Sequence, residues 1–141
     1  MKQKAPTVTK SELNKILNKY RQLGTVKGGD LCLSPDDSLR LVDELENLGV
    51  SILGADGWYF ASPEHEGKGF LSQDLDVDLY VGDEVLKGSN PAHERSDIVR
   101  KFLRYDLPER TRFVSLTLNV PGDWDYFPTP GTGIITSRNS D

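Results

Sequence analysis

Asp74, Asp76 and Asp78 are the residues whose type and spacing come closest to doing chemistry in this chain. They alternate with Leu75, Val77, Leu79 and Val81. A period of two marks a half-buried strand, sending aliphatic side chains to one face and acids to the other. The pattern therefore predicts a strand over residues 75–81, with Leu75, Val77, Leu79 and Val81 inside and the three aspartates exposed. Carboxylates on one face of a strand stand roughly 7 Å apart. Two of them can hold Mg²⁺ jointly with the phosphates of a nucleotide. The same row also suits a solvated face that discourages edge pairing, or an acidic patch turned toward a partner.

The segment Asp76-Val77-Asp78-Leu79-Tyr80-Val81 resembles the metal-binding strand of nucleotidyltransferase-fold proteins. Those proteins also carry a Gly-Ser pair upstream that opens a helix toward the phosphates. Here that stretch reads Ser62-Pro63-Glu64-His65-Glu66-Gly67-Lys68-Gly69, without the pair and without room for the helix. What the resemblance implies is an alternative reading, a Mg²⁺-dependent nucleotidyl or phosphoryl transferase using Asp76 and Asp78. The spacing imitates the start of an EF-hand loop too, but Leu79 and Tyr80 follow where that loop needs glycine.

The other reactive residue types are sparse. His65 and His93 have no serine or cysteine nucleophile in a strained Gly-x-Ser-x-Gly turn to serve. Glu64-His65-Glu66 places adjacent side chains pointing apart, a poor chelate. Gly67-Lys68-Gly69 and Gly131-Thr132-Gly133 lack the strand-to-helix context of a phosphate loop. No catalytic residue, metal or cofactor is expected. Trp58-Tyr59-Phe60 is different: alternation buries Tyr59 or its two neighbours but not all three, so a large ring should be exposed unless the aromatics of residues 124–127 cover it. Aromatics beside carboxylates are a common make-up for a protein-binding hot spot. The expected partner-binding set is Asp74, Asp76, Asp78, Asp83 and Glu84 with Trp58 and Tyr59.

The elements that must position these residues are legible from caps and periodicity. Thr9 and Glu12 have capping-box spacing, and Val8 and Leu13 stand as a hydrophobic staple, so a helix is expected over residues 10–23. Residues 25–30, with two adjacent glycines, read as a linker. Ser34-Pro35-Asp36-Asp37 is a helix start: a hydroxyl cap, a proline where the missing N–H costs nothing, and acids at the positive end of the dipole. Leu39, Leu41, Val42, Leu45 and Leu48 make its buried face, Asp43, Glu44 and Glu46 its wet one, and Gly49 its end.

A strand at residues 50–53, a turn at Asp56-Gly57 and a second strand at residues 58–60 should follow, then an exposed loop at residues 62–69. After the acidic strand, Asn90-Pro91 opens a helix with Ile98, Val99, Phe102 and Leu103 inward and Arg95, Arg100, Lys101 and Arg104 mostly outward. Val114, Leu116, Leu118 and Val120 alternate as a last strand. Residues 1–7 are expected to be a loose arm and residues 121–141 an irregular Pro/Gly-rich tail. The fold class is α+β: one domain over 1–141, with a single mixed or antiparallel sheet of about four to five strands and about three helices packed on one side.

At 141 residues the chain can bury a core without staples, and a lone cysteine, Cys32, rules out an internal disulfide. Set in the triplet Leu31-Cys32-Leu33, it reads as a buried, inert thiol of a cytoplasmic protein. The net charge of −5 is unevenly spread: +5 over residues 1–33, −11 over 34–86 and +1 over 87–141. So acidic a middle third repels phosphate backbones and attracts basic partners, which argues against direct nucleic-acid binding. No apolar run approaches the roughly 18 residues of a membrane span, and no secretory signal is expected.

Residues 33–60, LSPDDSLRLVDELENLGVSILGADGWYF, resemble a module of small bacterial immunity proteins from colicin and polymorphic-toxin systems, including contact-dependent inhibition. There a capped amphipathic helix leads through Gly into an Ile-Leu-Gly strand, then an Asp/Glu-Gly turn with aromatics. The acidic strand and the helix–strand pair of residues 91–120 are arranged similarly. The resemblance implies an acidic, non-enzymatic toxin inhibitor that binds a cognate toxin domain, often a basic nuclease, through protein–protein interaction.

Overall fold

Capping chemistry sets the helices. In the computed structural model, which describes residues 8–27, 29–60, 71–82, 86, 88, 90–120, 124–125 and 136–137, helix α1 spans Lys10–Arg21. The Thr9 hydroxyl accepts from the Glu12 amide at 3.1 Å and the Glu12 carboxylate accepts from the Thr9 amide at 2.9 Å, closing the expected capping box. Helix α2 (Pro35–Asn47) starts on Ser34, whose Oγ accepts from the Asp37 amide at 3.2 Å. Gly49 leaves it at φ +77°, in the left-handed region that glycine reaches without steric cost. Helix α3 (Pro91–Lys101) is capped by Asn90, whose Oδ1 accepts from the His93 amide at 3.2 Å, and runs into a π-helical turn over Phe102–Asp106.

Strand pairing departs further from expectation. β1 (Thr25–Lys27) and β2 (Asp30–Cys32) form an antiparallel hairpin where a linker was expected. Gly29, at φ +89°, supplies the turn, so a glycine read as looseness answers a backbone requirement instead. β3 (Ile52–Phe60), β4 (Leu71–Tyr80) and β5 (Phe113–Leu118) build an antiparallel sheet in the order β4-β3-β5. The sheet is therefore split rather than single. Leu33 extends β2 onto β5 by one bridge: its amide donates to the Val114 carbonyl at 3.0 Å and its carbonyl accepts from the Val114 amide at 2.7 Å. The next residue is the cap of α2, so the chain turns helical before the ladder can grow. Further on, β6 (Trp124–Asp125) pairs antiparallel with β7 (Thr136–Ser137), a short ladder within the tail expected to be irregular. The arm at 1–7, the loop at 62–69 and the rest of the tail with its aromatic clamp lie outside the described residues.

Asp56-Gly57 is not a turn. β3 runs straight through it, and the irregularity sits opposite, where Asp56 pairs with Asp78 but Gly57 pairs with Asp74, leaving residues 75–77 of β4 as a bulge. A Cβ on Gly57 would lie 2.5 Å from Val77 Cγ1, so the bulged valine fills the space that a side chain would take. The bulge overturns the strict alternation expected of β4. Val77 and Val81 are buried and Leu79 packs at the core margin, but Leu75 is 84% exposed and Asp74 only 5%.

One face of the sheet carries the main core. Leu13, Leu17 and Tyr20 of α1, Leu41, Val42 and Leu45 of α2, and Val99 of α3 with Leu103 just beyond it meet Ala55, Val114 and Leu116 there, with Leu39 and Leu48 at the margin. The two charged faces thought to lie in water are partly enclosed. Arg95 is buried at 3% exposure, and Arg100 reaches across to Asp43 and Glu46 of α2 while also pairing with Asp97 on its own helix. Glu44 accepts from Lys19 Nζ at 2.9 Å and from the Tyr20 hydroxyl, joining α1 to α2. Among the described residues no helix is long and apolar enough to cross a membrane.

Candidate functional site

The opposite face of the sheet has its own character. Asp56, Trp58 and Phe60 of β3 point there, with Asp78 and Tyr80 of β4 and Phe113 and Ser115 of β5, as register and alternation require. Toward one end an apolar plate forms: Cys32, Trp58 and Leu71 are buried, and Phe60 meets Phe113 edge to face at 6.2 Å between centroids. Trp58 Nε1 donates to Ser115 Oγ at 2.9 Å, which satisfies the indole inside. Cys32 is fully buried, as expected, and burial, with Asp30 nearby, pushes its thiol up to about 12.

Toward the other end the face is acidic. Asp56 and Asp78 oppose each other directly across β3 and β4. Asp30 from β2 adds a third negative charge to the field at Asp56. Burial first, then the contact with Asp78 and the field of Asp30, push Asp56 up to about 6. Asp30 is raised as well, by burial. Tyr80 stands beside the pair, 74% exposed, opposite Gly54.

The residues singled out by sequence are dispersed by this geometry. Asp74 is withdrawn from the row and bound by Arg110, Nε to Oδ2 at 2.6 Å and Nη2 to Oδ1 at 3.1 Å. The guanidinium holds its carboxyl below the usual aspartate range. Asp76 projects from the bulge, 89% exposed, with Arg110 Nη2 at 3.7 Å. Asp78 alone of the three joins the acidic end of the open face. Asp83, Glu84 and His65 lie outside the described residues. Trp58 is buried and Tyr59 half-buried, so the exposed ring here is Tyr80 rather than a member of the aromatic triplet. His93 sits between α2 and α3, Nδ1 2.6 Å from Glu46 Oε2 and Nε2 3.3 Å from Asp97 Oδ2. Asp76 and Asp78 thus have different neighbours, and among the described residues no group of three or more Asp, Glu, His or Cys side chains is placed to hold a metal ion.

Sequence reasoning missed Asp56, Asp30, Gln73 and Tyr80. A signal for Asp56 existed: with Trp58 and Phe60 it forms a period-two series, hidden by the turn-forming reputation of Asp-Gly. No known family model, characterised protein or solved structure matches this chain.

Proposed function

We propose that this chain is a binding protein for a basic partner, received on the acidic end of the open sheet face, and that it acts as an immunity protein neutralising a toxin domain. One observation carries the reading. Half-buried Asp56 and exposed Asp78 are direct partners across β3 and β4, with the charge of Asp30 acting on Asp56 and an exposed tyrosine alongside. Like charges directly opposed across a sheet destabilise the protein that contains them. A lysine or arginine from a partner would relieve that repulsion while its stem packs on the Tyr80 ring. The excess of acid over residues 34–86 would steer the encounter. Asp76 belongs at the rim of this surface, whereas Asp74 is already engaged by Arg110.

The test takes the product of the neighbouring reading frame as partner and follows binding kinetics at low and high salt. Association should slow as salt rises and in Asp78→Asn, while Tyr80→Ala should mainly hasten dissociation, by about tenfold or more if the ring is a central anchor. Association indifferent to salt, or a footprint on residues 8–27, would overturn the placement. The transferase reading would be favoured instead by a rise of several degrees in melting temperature that needs both Mg²⁺ and a nucleotide.

A further inference from the structure

We infer that the partner docks by adding an extended strand to the free edge of β4 at Asp78–Tyr80, with a lysine or arginine set opposite Asp78. The inference rests on the proposed reception of a basic partner and names the mode of that contact.

The backbone sets the edge. The Val81 amide donates to the Leu53 carbonyl at 2.8 Å, so residue 81, and residue 79 two positions before it, turn their backbone groups toward β3. That direction alternates along an antiparallel ladder, and the opposed pairs Asp56–Asp78 and Gly54–Tyr80 fall at the positions that exchange no backbone bonds. The N–H and C=O groups of Asp78 and Tyr80 therefore point away from β3. β4 is the outer strand of its sheet, and among the described residues no strand pairs along its far side. Asp78 and Tyr80 are both exposed, so this end of the edge is open to solvent.

The bulge selects which stretch can pair. Bulges protect sheet edges by interrupting the row of outward groups, and within this one the Asp76 amide is already taken by the Asp74 carboxylate at 3.1 Å. Of the two stretches it separates, residues 71–74 begin at Leu71, enclosed in the apolar plate, and end at Asp74, held by Arg110. Residues 78–80 keep regular register with β3 and carry an exposed acid and an exposed ring.

Charge names the occupant. A residue added opposite Asp78 lies on the open face, in one cross-strand row with Asp78 and Asp56. A basic side chain there meets two carboxylates, and its stem can lie along Tyr80, a diagonal neighbour within reach of a long side chain. A second copy of this chain would bring its own Asp56 and Asp78 to the edge, acid against acid, which opposes self-pairing. Two parts of recognition thus fall on the same two residues. Outward backbone groups supply hydrogen bonds to any extended segment, and the acidic row selects the side chain that segment must carry.

The experiment is amide hydrogen exchange of the full chain, free and bound to the product of the neighbouring reading frame. The Asp78 and Tyr80 amides should exchange quickly in the free chain and on the order of tenfold or more slowly in the complex. Tyr80→Pro deletes one outward N–H that the β3 ladder does not use, and should weaken binding about tenfold beyond Tyr80→Ala. Should the proline variant fail to fold, exchange in the unaltered chain decides alone. If Asp78→Asn slows association but the Asp78 and Tyr80 amides exchange as fast in the complex as in the free chain, strand addition is wrong and the basic-partner reading stands. A proline variant that binds as well as the alanine one has the same meaning. A product that docks elsewhere, or does not bind, overturns both.

Discussion

Four aspartates show how little residue type settles. Asp74 and Asp56 are both withdrawn from water, yet Arg110 holds the first ionised while burial and Asp78 favour the protonated form of the second. Asp76, two residues from each of Asp74 and Asp78, is left almost wholly in solvent. The buried bond from Trp58 to Ser115 offers a test at this scale. Ser115→Ala strands the indole N–H and should cost about 1–3 kcal/mol in urea denaturation, the penalty of an unmet buried donor. In a Trp58→Phe background, where that donor is gone, the same change should cost markedly less. Equal costs in the two backgrounds would show that the bond contributes nothing of its own. That partnership could not be read from the chain: Trp58 and Ser115 are neighbours only through the pairing of β3 with β5.

Helices and strands differ in how far their causes reach. α2 is specified within its own length by Ser34, Pro35, two first-turn acids and Gly49, and each part is present in the fold. Ser34→Ala should lower stability by about 1 kcal/mol through the lost cap. Gly49→Ala should cost about 1–2 kcal/mol, because a Cβ is unwelcome at its left-handed φ even though nothing lies within 4 Å of that atom. The strands obey a longer-range rule. Gly57→Ala would push a methyl into Val77 and should cost about 1–3 kcal/mol by overpacking, partly recovered by adding Val77→Ala. Chemical denaturation of the single and double variants checks this, and a full-cost double variant would remove Val77 as the cause.

For the whole molecule, charge holds the helices to one another. Partial burial works to raise Glu44 and Glu46, but hydrogen bonds from Lys19 and Tyr20 to the first, and from Arg100 and His93 to the second, outweigh it and hold both below the usual carboxylate value. A lowered folded value means stability that is present above the ordinary value of 4.5 and is lost as pH falls through the folded one. His93 works at the other end of the scale. Contact with Glu46, then the field of Asp97, raise it above its ordinary 6.5, so its contribution is complete below that value and lost as pH climbs through the folded one. The imidazole should titrate above 6.5 by NMR, and His93→Gln should flatten the fall of melting temperature on the neutral-to-alkaline side. A titration at or below the ordinary value would mean that the link between α2 and α3 carries no charge. Because surface pairs of this kind are screened, the difference should also shrink as salt is added.

By itself the sequence determined what acts over one or two turns of chain: which segments are helical, where they begin and stop, and which apolar stripe each turns inward. It also determined the α+β class and the acidity of the middle third. Tertiary structure alone decided which charges are enclosed and which carboxyls meet. Helical periodicity turns Arg95 outward, yet the fold buries it, because a position on a helix cannot report what packs over it. Asp56 and Asp78 lie 22 positions apart, and they meet because a glycine in one strand admits a bulged valine from the next. Register across a sheet is a non-local quantity, and a slip along a strand reassigns its side chains between faces. The candidate site is made by that register, which no run of neighbouring residues encodes.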